Sequence, residues 1–234
     1  MTNTSNFMRL LLTLITLFSC LLGSAQDWEF SSPNYKKIEK NIAKKKSNLY
    51  YENLLNRFNA FDSTMTLEEK RHLYYGFSFQ DAYSPYGDSD YKDSLDNVLG
   101  KDDHGISDLM KIVSFSDSIL AENPFDLNSI NFQLYALNEL QQERIFNERL
   151  NQTRIIIDAI LSSGDGSSEE NAFYVIEVAH EYFILDVIGF EFGGSQSLKG
   201  QCDYLTLQEN ELSLEGLYFN VSACMRSLNK MFKN

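Results

Sequence analysis

The sequence predicts an α+β domain in which antiparallel helical hairpins are followed by a small antiparallel β-sheet and a C-terminal helix. Apolar residues recur at helical spacing through most of residues 35–162. Residues 163–234 instead contain short segments of β-favouring residues, separated by Gly, Ser and Asp. We therefore predict that residues 35–234 form a single domain with a helical part and a sheet part, preceded by a flexible leader over residues 26–34.

The first 25 residues have the layout of a secretory signal peptide. Residues 2–9 carry one positive charge and no acid, an apolar run follows over residues 10–22, and residues 23–25 are small. Such a run is too short to span a membrane and is typical of a cleaved signal. We predict cleavage after Ala25 and export to the periplasm or the outside of the cell. In the alternative, Cys20 is lipidated and anchors the protein.

The charge of the chain limits its partners. The formal net charge is -13 at pH 7, so repulsion disfavours nucleic acid and anionic membrane surfaces. The one basic cluster, within residues 36–46, is interleaved with Ile38 and Ile42 at helical spacing, which is typical of a solvated helix face. No cofactor is predicted, and the mature chain has no predicted transmembrane segment.

The helical part begins with apolar periodicity over Tyr35–Ile42 and residues 49–61. Thr66, followed three residues later by Glu69, forms the pattern of a capping box and predicts a third helix. Helical periodicity then runs over residues 106–122, 127–140 and 143–161, with a break at Asn123 and Pro124. This order resembles a tetratricopeptide-type unit, but without a clean repeat of about 34 residues it predicts helical hairpins rather than a repeat array.

The sheet part is predicted from its β-favouring residues and turns. The segment 164–171 is a turn rich in Gly, Ser and acidic residues, and residues 193–201 read as a loop. Four strands and one helix are predicted around them: strands over 172–179, 182–192, 202–209 and 217–221, and a C-terminal helix over 222–232.

Residues 72–87 are unusually rich in aromatic side chains, which usually indicates a core. The alternative is a groove whose tyrosine faces bind a sugar or a peptide, because tyrosine combines a flat apolar face with a polar tip. The candidate binding residues are Tyr74, Tyr75, Tyr83 and Tyr86.

Two patterns that suggest a metal site fail on inspection. The acidic segment from Asp88 to Asp96 has Asp93 where a calcium loop requires glycine, so an acidic helix start explains it better. His180 and Glu181 begin like a zinc-protease motif, but Ile184 replaces the second histidine. No metal site is therefore predicted.

Five sequence blocks carry a family resemblance: RHLYYGFSFQDAYSPYG, ENPFDLNSINF, ILSSGDGSSEENAFYVIEVAHEYFIL, QSLKGQCDYLTL and GLYFNVSACMRSLNKMF. In this order they resemble the secreted bacterial family described as domain of unknown function 4919. The resemblance implies an envelope or secreted location and a single domain, but it implies no activity and assigns no catalytic residue. It places the family signature on Tyr74, Tyr75, Gly76, Pro85, Tyr86, Pro124, Gly166, His180, Glu181, Tyr182, Cys202 and Asp203.

Two cysteines, Cys202 and Cys224, remain after signal cleavage. In an oxidising compartment they could form a disulfide that closes a loop of about 22 residues and contributes about 3 kcal/mol. The alternative, which we favour, is two buried free thiols, and the family pattern does not require a cysteine at position 224.

The polar pair His180 and Glu181 lies among apolar residues and needs an explanation. A buried histidine that holds a junction together is the simpler hypothesis; in the other, His180, Glu181 and Asp203 line a cleft with Tyr74 and Tyr86. No G-x-S-x-G nucleophile motif is present. The leading functional hypothesis is a non-enzymatic module that binds an envelope protein, peptide or glycan, and the alternative is a hydrolase of unassigned type that uses His180 and an acid.

Overall fold

The computed structural model describes residues 30–232, within which nine helices and a four-stranded sheet occur. The predicted α+β class is confirmed. The predicted signal peptide and residues 26–29 of the leader lie outside the described residues. The helices are α1 (Tyr35–Ile42), α2 (Tyr51–Asn59), α3 (Leu67–Phe77), α4 (Lys92–Leu99), α5 (Ile106–Glu122), α6 (Leu127–Glu139), α7 (Glu143–Leu161), α8 (Ala179–Val187) and α9 (Ser222–Met231); the strands are β1 (Phe173–Tyr174), β2 (Phe192–Lys199), β3 (Cys202–Leu207) and β4 (Gly216–Asn220).

The N-terminal segment is tied to the helices at both of its described ends. The backbone N–H of Ser31 donates to the carbonyl of Ser162 at 3.1 Å, and Arg71 donates to the carbonyl of Ser31 at 2.6 Å. Asn34 then caps α1 by accepting from the backbone N–H of Lys37. In its described part, the leader that was predicted to be flexible is thus held by hydrogen bonds to α3 and to the end of α7.

The helical part is built from hairpins of sequential helices. Helices α4, α5, α6 and α7 pack each on the next, and α3 packs against α1, α2 and α7. The predicted capping box begins α3, where the Thr66 side chain accepts from the Glu69 N–H and the Glu69 carboxylate accepts from the Thr66 N–H. These helices share a main apolar core with the sheet, and a smaller core lies between α4, α5 and α6.

The sheet has the order β1-β4-β3-β2. Strands β2, β3 and β4 are antiparallel, as predicted, whereas the two-residue β1 runs parallel to β4 and makes the sheet mixed. Strand β2 lies at the edge and is exposed along most of its length. It therefore shows no alternation of apolar and polar residues, which is why residues 193–201 were wrongly predicted as a loop.

The strand predicted over residues 182–192 is also wrong, because most of this segment is helix α8. Helix α8 packs against α6 and buries side chains around most of its circumference, including His180, Phe183 and Leu185. A short run that is apolar on all sides does not distinguish a buried strand from a buried helix. Of the strand predicted over residues 172–179, only β1 forms.

The turn before β1 depends on two glycines. The backbone N–H groups of Asp165 and Gly166 both donate to the carbonyl of Asn171, at 3.0 and 2.8 Å. Gly166 has φ +75°, which only glycine adopts without strain, and a Cβ on Gly164 would lie 2.2 Å from the Asn171 oxygen. The turn directs the chain from α7 into the sheet.

No disulfide joins Cys202 and Cys224; both are buried free thiols. The sulfur of Cys224 donates to the carbonyl of Ile176 at 3.2 Å, while that of Cys202 accepts from the Asn220 side chain at 3.6 Å. The alternative of a bridge is therefore not realised, because each sulfur is directed to a different set of partners. Within residues 30–232, no helix has both the length and the apolar character needed to cross a membrane.

Candidate functional site

The imidazole of His180 is wholly buried at the start of α8. Its Nδ1 lies 2.7 Å from the hydroxyl of Tyr74, and its Nε2 lies 2.9 Å from the carbonyl oxygen of Phe125. The carbonyl can only accept, so Nε2 carries the proton; the Tyr74 oxygen accepts from the Ile176 N–H at 3.2 Å and donates to Nδ1. Burial lowers the pKa of His180 to about 4. His180 is thus a neutral imidazole with both nitrogens engaged.

Glu177 lies beside this histidine without forming an ion pair with it. Its Oε2 is 3.6 Å from Nε2 of His180, too far for a hydrogen bond, and Nε2 already donates to Phe125. The other carboxylate oxygen accepts from the side chain of Asn123 at 2.7 Å. Burial raises the pKa of Glu177 to about 7, against the lowering effect of Asn123. These contacts join the break between α5 and α6 to the start of α8. The surroundings of His180 and Glu177 are therefore a structural junction.

Glu181, the next residue of α8 after His180, contacts the sheet instead. Its carboxyl group is wholly buried beside that of Asp203 in β3. Gln196 of β2 donates through its amide to both carboxyl groups, at 2.8 Å to Asp203 and 3.3 Å to Glu181. The hydroxyl of Tyr182 donates to the Gln196 carbonyl oxygen at 2.6 Å. We call Glu181 and Asp203 the acid pair.

Strand register explains why Gln196 reaches the acid pair. Asp203 is paired with Leu198, and Gln196 is paired with Leu205. Side chains two residues apart on a strand share a face, so Gln196 and Asp203 are diagonal neighbours on one face of the sheet.

The acid pair holds a proton near neutral pH. Burial, together with the charge of Asp203 and a hydrogen bond between the two carboxyl groups, raises the pKa of Glu181 to about 9. Oε1 of Glu181 is buried and finds no hydrogen-bond partner within the described part of the chain. Over residues 30–232, no lysine, arginine or histidine forms a hydrogen bond or an ion pair with either acid. The site therefore combines negative potential with an unused acceptor.

Three residues near the acid pair keep exposed surface, and we call Tyr86, Tyr182 and Gln196 the mouth of the site. Tyr86 is 47% exposed, Tyr182 is half-buried and Gln196 is exposed. Partial burial, followed by the influence of Cys224, Asp203 and Glu181, raises the pKa of Tyr86. Partial burial and the two acids likewise raise the pKa of Tyr182. Both phenols are thus close enough to sense the charge of the acid pair.

The predicted tyrosine surface is only partly present. Tyr74 and Tyr75 are wholly buried, because α3 is surrounded by α1, α2 and α7, and Tyr75 donates to the carbonyl of Ala159 at 2.9 Å. Tyr83 is half-buried, and its hydroxyl donates to the carbonyl of Ile176 at 2.6 Å. The prediction of a ligand surface is therefore wrong for Tyr74 and Tyr75, which belong to the core. Of the four predicted tyrosines, only Tyr86 is exposed.

The predicted constellation of His180, Glu181 and Asp203 is divided by the structure. Glu181 and Asp203 lie together, whereas His180 contacts Tyr74 and the α5–α6 break, so no cleft contains all three. Sequence reasoning missed Glu177 and Gln196. Glu177 could have been found from its spacing of three residues before His180, but the position of Gln196 depends on a strand register that the sequence does not reveal. Among residues 30–232, no group of three or more His, Cys, Asp and Glu side chains could hold a metal ion.

Comparison with known proteins gives one family. The family model described as Domain of unknown function (DUF4919) matches residues 36–230, which is most of the chain. No curated protein and no solved structure matches this chain.

Proposed function

The chain belongs to the family Domain of unknown function (DUF4919), and from the geometry of its site we propose that it is an exported, non-enzymatic binding domain. Its ligand would bind at the mouth formed by Tyr86, Tyr182 and Gln196, near the acid pair. The observation that carries this proposal is the buried Oε1 of Glu181, an acceptor without a partner next to a second carboxyl group. Buried acceptors are nearly always satisfied, so an unsatisfied one on a carboxyl group that the exposed Gln196 contacts favours a ligand site.

The hydrolase alternative receives less support from the same geometry. A general base must offer a free nitrogen or oxygen to the proton that it removes. His180 has none to offer, because Nδ1 accepts from Tyr74 and Nε2 donates to Phe125. Its complete burial also keeps a substrate away from it.

A protein or peptide ligand suits this site better than a neutral glycan. The site has two acids and no basic side chain bonded to them in the described residues, and the whole chain carries a net charge of -13. A peptide can supply the missing positive group, and tyrosine rings are common anchors in peptide and protein interfaces.

Capture experiments with matched variants test the proposal. The mature protein, starting at Gln26, is immobilised and exposed to envelope extract of its host, and bound proteins are quantified by mass spectrometry. Tyr86→Ala is expected to reduce the captured partner at least about tenfold, the usual effect of removing an aromatic hot spot. Tyr91→Ala is the control, because Tyr91 is similarly exposed, at 42%, but lies next to α4.

Equal capture by the Tyr86→Ala and Tyr91→Ala variants would show that the mouth is not the ligand site. A captured ligand that contains sugar and survives protease treatment would show that the ligand is a glycan and not a peptide.

A further inference from the structure

We infer that the acid pair binds a primary ammonium group, such as a lysine side chain. The inference rests on the proposed function and names the chemical class that the site recognises. Its starting point is geometric: two buried carboxyl groups in contact, one of which has an oxygen without a partner.

The acceptors around the acid pair match an ammonium group in number. An ammonium group has three donors and a compact charge. Oε1 of Glu181, a carboxyl oxygen of Asp203 and the carbonyl oxygen of Gln196, which now accepts from Tyr182, can supply three acceptors.

Other cations fit this site less well. Calcium takes six to eight oxygen ligands, and the described residues contain no cluster of three or more acids, histidines and cysteines for a metal. A guanidinium group is planar and has five donors, so it would leave donors unsatisfied in a site of this size. An ammonium group therefore has the best match of charge and hydrogen bonds.

Access to the acid pair requires only exposed or half-exposed groups to move. Gln196 bridges the two acids from the edge strand β2, beside the register shift between Phe192 and Gln196, and Tyr182 holds the amide in place. When the amide rotates so that its nitrogen leaves the acids while its carbonyl oxygen stays at the mouth, the acid pair becomes accessible from the mouth. The interior packing of α8 against α6 does not have to change.

Binding of the ammonium group displaces the proton that Glu181 holds, and it leaves the net charge of the site unchanged. The O–H bond of Glu181 breaks, its proton leaves to water, and one ammonium cation enters, so the net charge of the site is unchanged. The titratable groups that face Glu181 are Asp203 from β3, Tyr182 from α8, Tyr86 from the segment after α3, and Cys224 from α9. The pKa values of Tyr86, Tyr182 and Cys224 are raised, so these groups stay neutral between pH 6 and 8. Binding should therefore release one proton, and it should strengthen as pH rises.

Isothermal titration calorimetry with two small probes tests this inference. The probes are Nα-acetyl-lysine methylamide, which carries the ammonium group, and its Nε-acetylated form, which is neutral. The charged probe should bind the mature protein, with a dissociation constant that falls about tenfold per pH unit between pH 6 and 8. Titrations in buffers of different ionisation enthalpy should report the release of about one proton per site. The neutral probe should not bind.

Variants of the two acids test whether the charged probe binds at the acid pair. Glu181→Gln and Asp203→Asn should each weaken binding of the charged probe at least about tenfold and abolish the proton release. Glu209→Gln makes the same carboxyl-to-amide change at an exposed position just after β3, and it should change neither the binding of the charged probe nor the proton release. If Glu181→Gln unfolds, Asp203→Asn and the proton count of the parent protein still decide the question.

Absence of binding by the parent protein would overturn the inference, as would binding without proton release or undiminished binding by both acid variants. Any of these three results, combined with a partner that is still captured through Tyr86, would leave the proposed binding domain in place and reject only the ammonium group as its ligand. If the charged probe still binds but capture of a partner does not depend on Tyr86, the ammonium site stands and the mouth is rejected as the partner's binding site.

Discussion

The hydroxyl of Tyr74 in α3 donates a 2.7 Å hydrogen bond to Nδ1 of His180 in α8, and neither side chain is exposed to solvent. This bond joins the helical part to the start of α8, across 106 positions of sequence. On its other side, His180 donates to the carbonyl of Phe125, just after the break between α5 and α6. One imidazole thus links three segments that the chain brings together only on folding.

Replacement of His180 by alanine should therefore destabilise the protein. The Tyr74 hydroxyl and the Phe125 carbonyl would both lose a buried partner, and a cavity would remain. We expect a loss of about 2–4 kcal/mol in the free energy of unfolding, measured by urea denaturation. His104→Ala is a suitable control, because His104 also makes two hydrogen bonds but is only half-buried, and its loss should be smaller.

The Tyr74→Phe variant examines the same bond from the other side. It removes only the hydroxyl group and should cost about 1–3 kcal/mol, since Nδ1 of His180 and the Ile176 N–H lose their partner. The two single changes should be non-additive in the double variant. A His180→Ala protein that melts within about a degree of the parent would contradict a structural role for this histidine.

The two thiols should be present but slow to react. Burial raises the pKa of Cys224 to about 12 and is the main cause that raises the pKa of Cys202, so little thiolate is available at neutral pH. Titration of the mature, unreduced protein with a thiol reagent should find two thiols after unfolding and a much slower reaction in the native state. A protein without titratable thiols after unfolding would instead contain the disulfide.

Most of the helical part could be predicted from sequence, because its signals are local. The predicted bounds of α1, α5 and α7 coincide with those of the structure, and Thr66 caps α3 as its spacing from Glu69 indicates. Amphipathic periodicity and capping depend on residues within a few positions of one another. Helix α8 lacks such periodicity, since burial on most sides makes almost every position apolar, and it was predicted as a strand.

The candidate site could be predicted only in part, for a related reason. The sequence singles out His180, Glu181 and Asp203 as polar residues in apolar or strand-like surroundings. It does not show that neighbouring helix positions direct His180 and Glu181 to different partners, or that β2 pairs with β3 in the register that brings Gln196 to Asp203. Such contacts depend on tertiary packing, and the burial of Tyr74 and Tyr75 depends on the three helices around α3.

Export, which is part of the proposed function, makes a prediction about the mature N-terminus. Cleavage after the small residues 23–25 would leave Gln26 as the first residue. N-terminal sequencing or intact-mass measurement of the protein from its host should show this start. A start at Cys20 with added lipid mass would establish membrane anchoring instead.

Two glycines separate the cost of backbone conformation from that of crowding. Gly166 and Gly189 both have positive φ, +75° and +82°. A Cβ at Gly189 meets no atom within 4 Å, whereas one at Gly166 would lie 2.7 Å from the ring of Phe173. Gly189→Ala should cost about 1 kcal/mol for the left-handed conformation, and Gly166→Ala about 1–3 kcal/mol more for repacking. Equal losses in urea denaturation would contradict the close packing of the 164–171 turn on β1.

The acid pair should make stability depend on pH in a direction opposite to that of an ordinary salt-bridged acid. Glu181 has a folded-state pKa of about 9, raised from 4.5. Between these values the native state keeps a proton that the unfolded chain has released, so the free energy of unfolding falls as pH rises. The contribution is fully present below pH 4.5 and is lost as pH approaches about 9. Each retained proton corresponds to a slope of at most about 1.4 kcal/mol per pH unit.

Glu181 dominates the pH dependence of stability between about pH 7.5 and 8.5. Below this range, Glu177, with a folded-state pKa of about 7, acts in the same direction, and His180, lowered to about 4, acts in the opposite one. Urea denaturation of the parent protein should show stability falling by about 1 kcal/mol per pH unit in this range. Glu181→Gln should largely remove the slope, because an amide cannot release a proton, whereas Glu209→Gln at an exposed position should keep it. An unchanged slope in the Glu181→Gln protein would show that the acid pair does not hold the proton on Glu181.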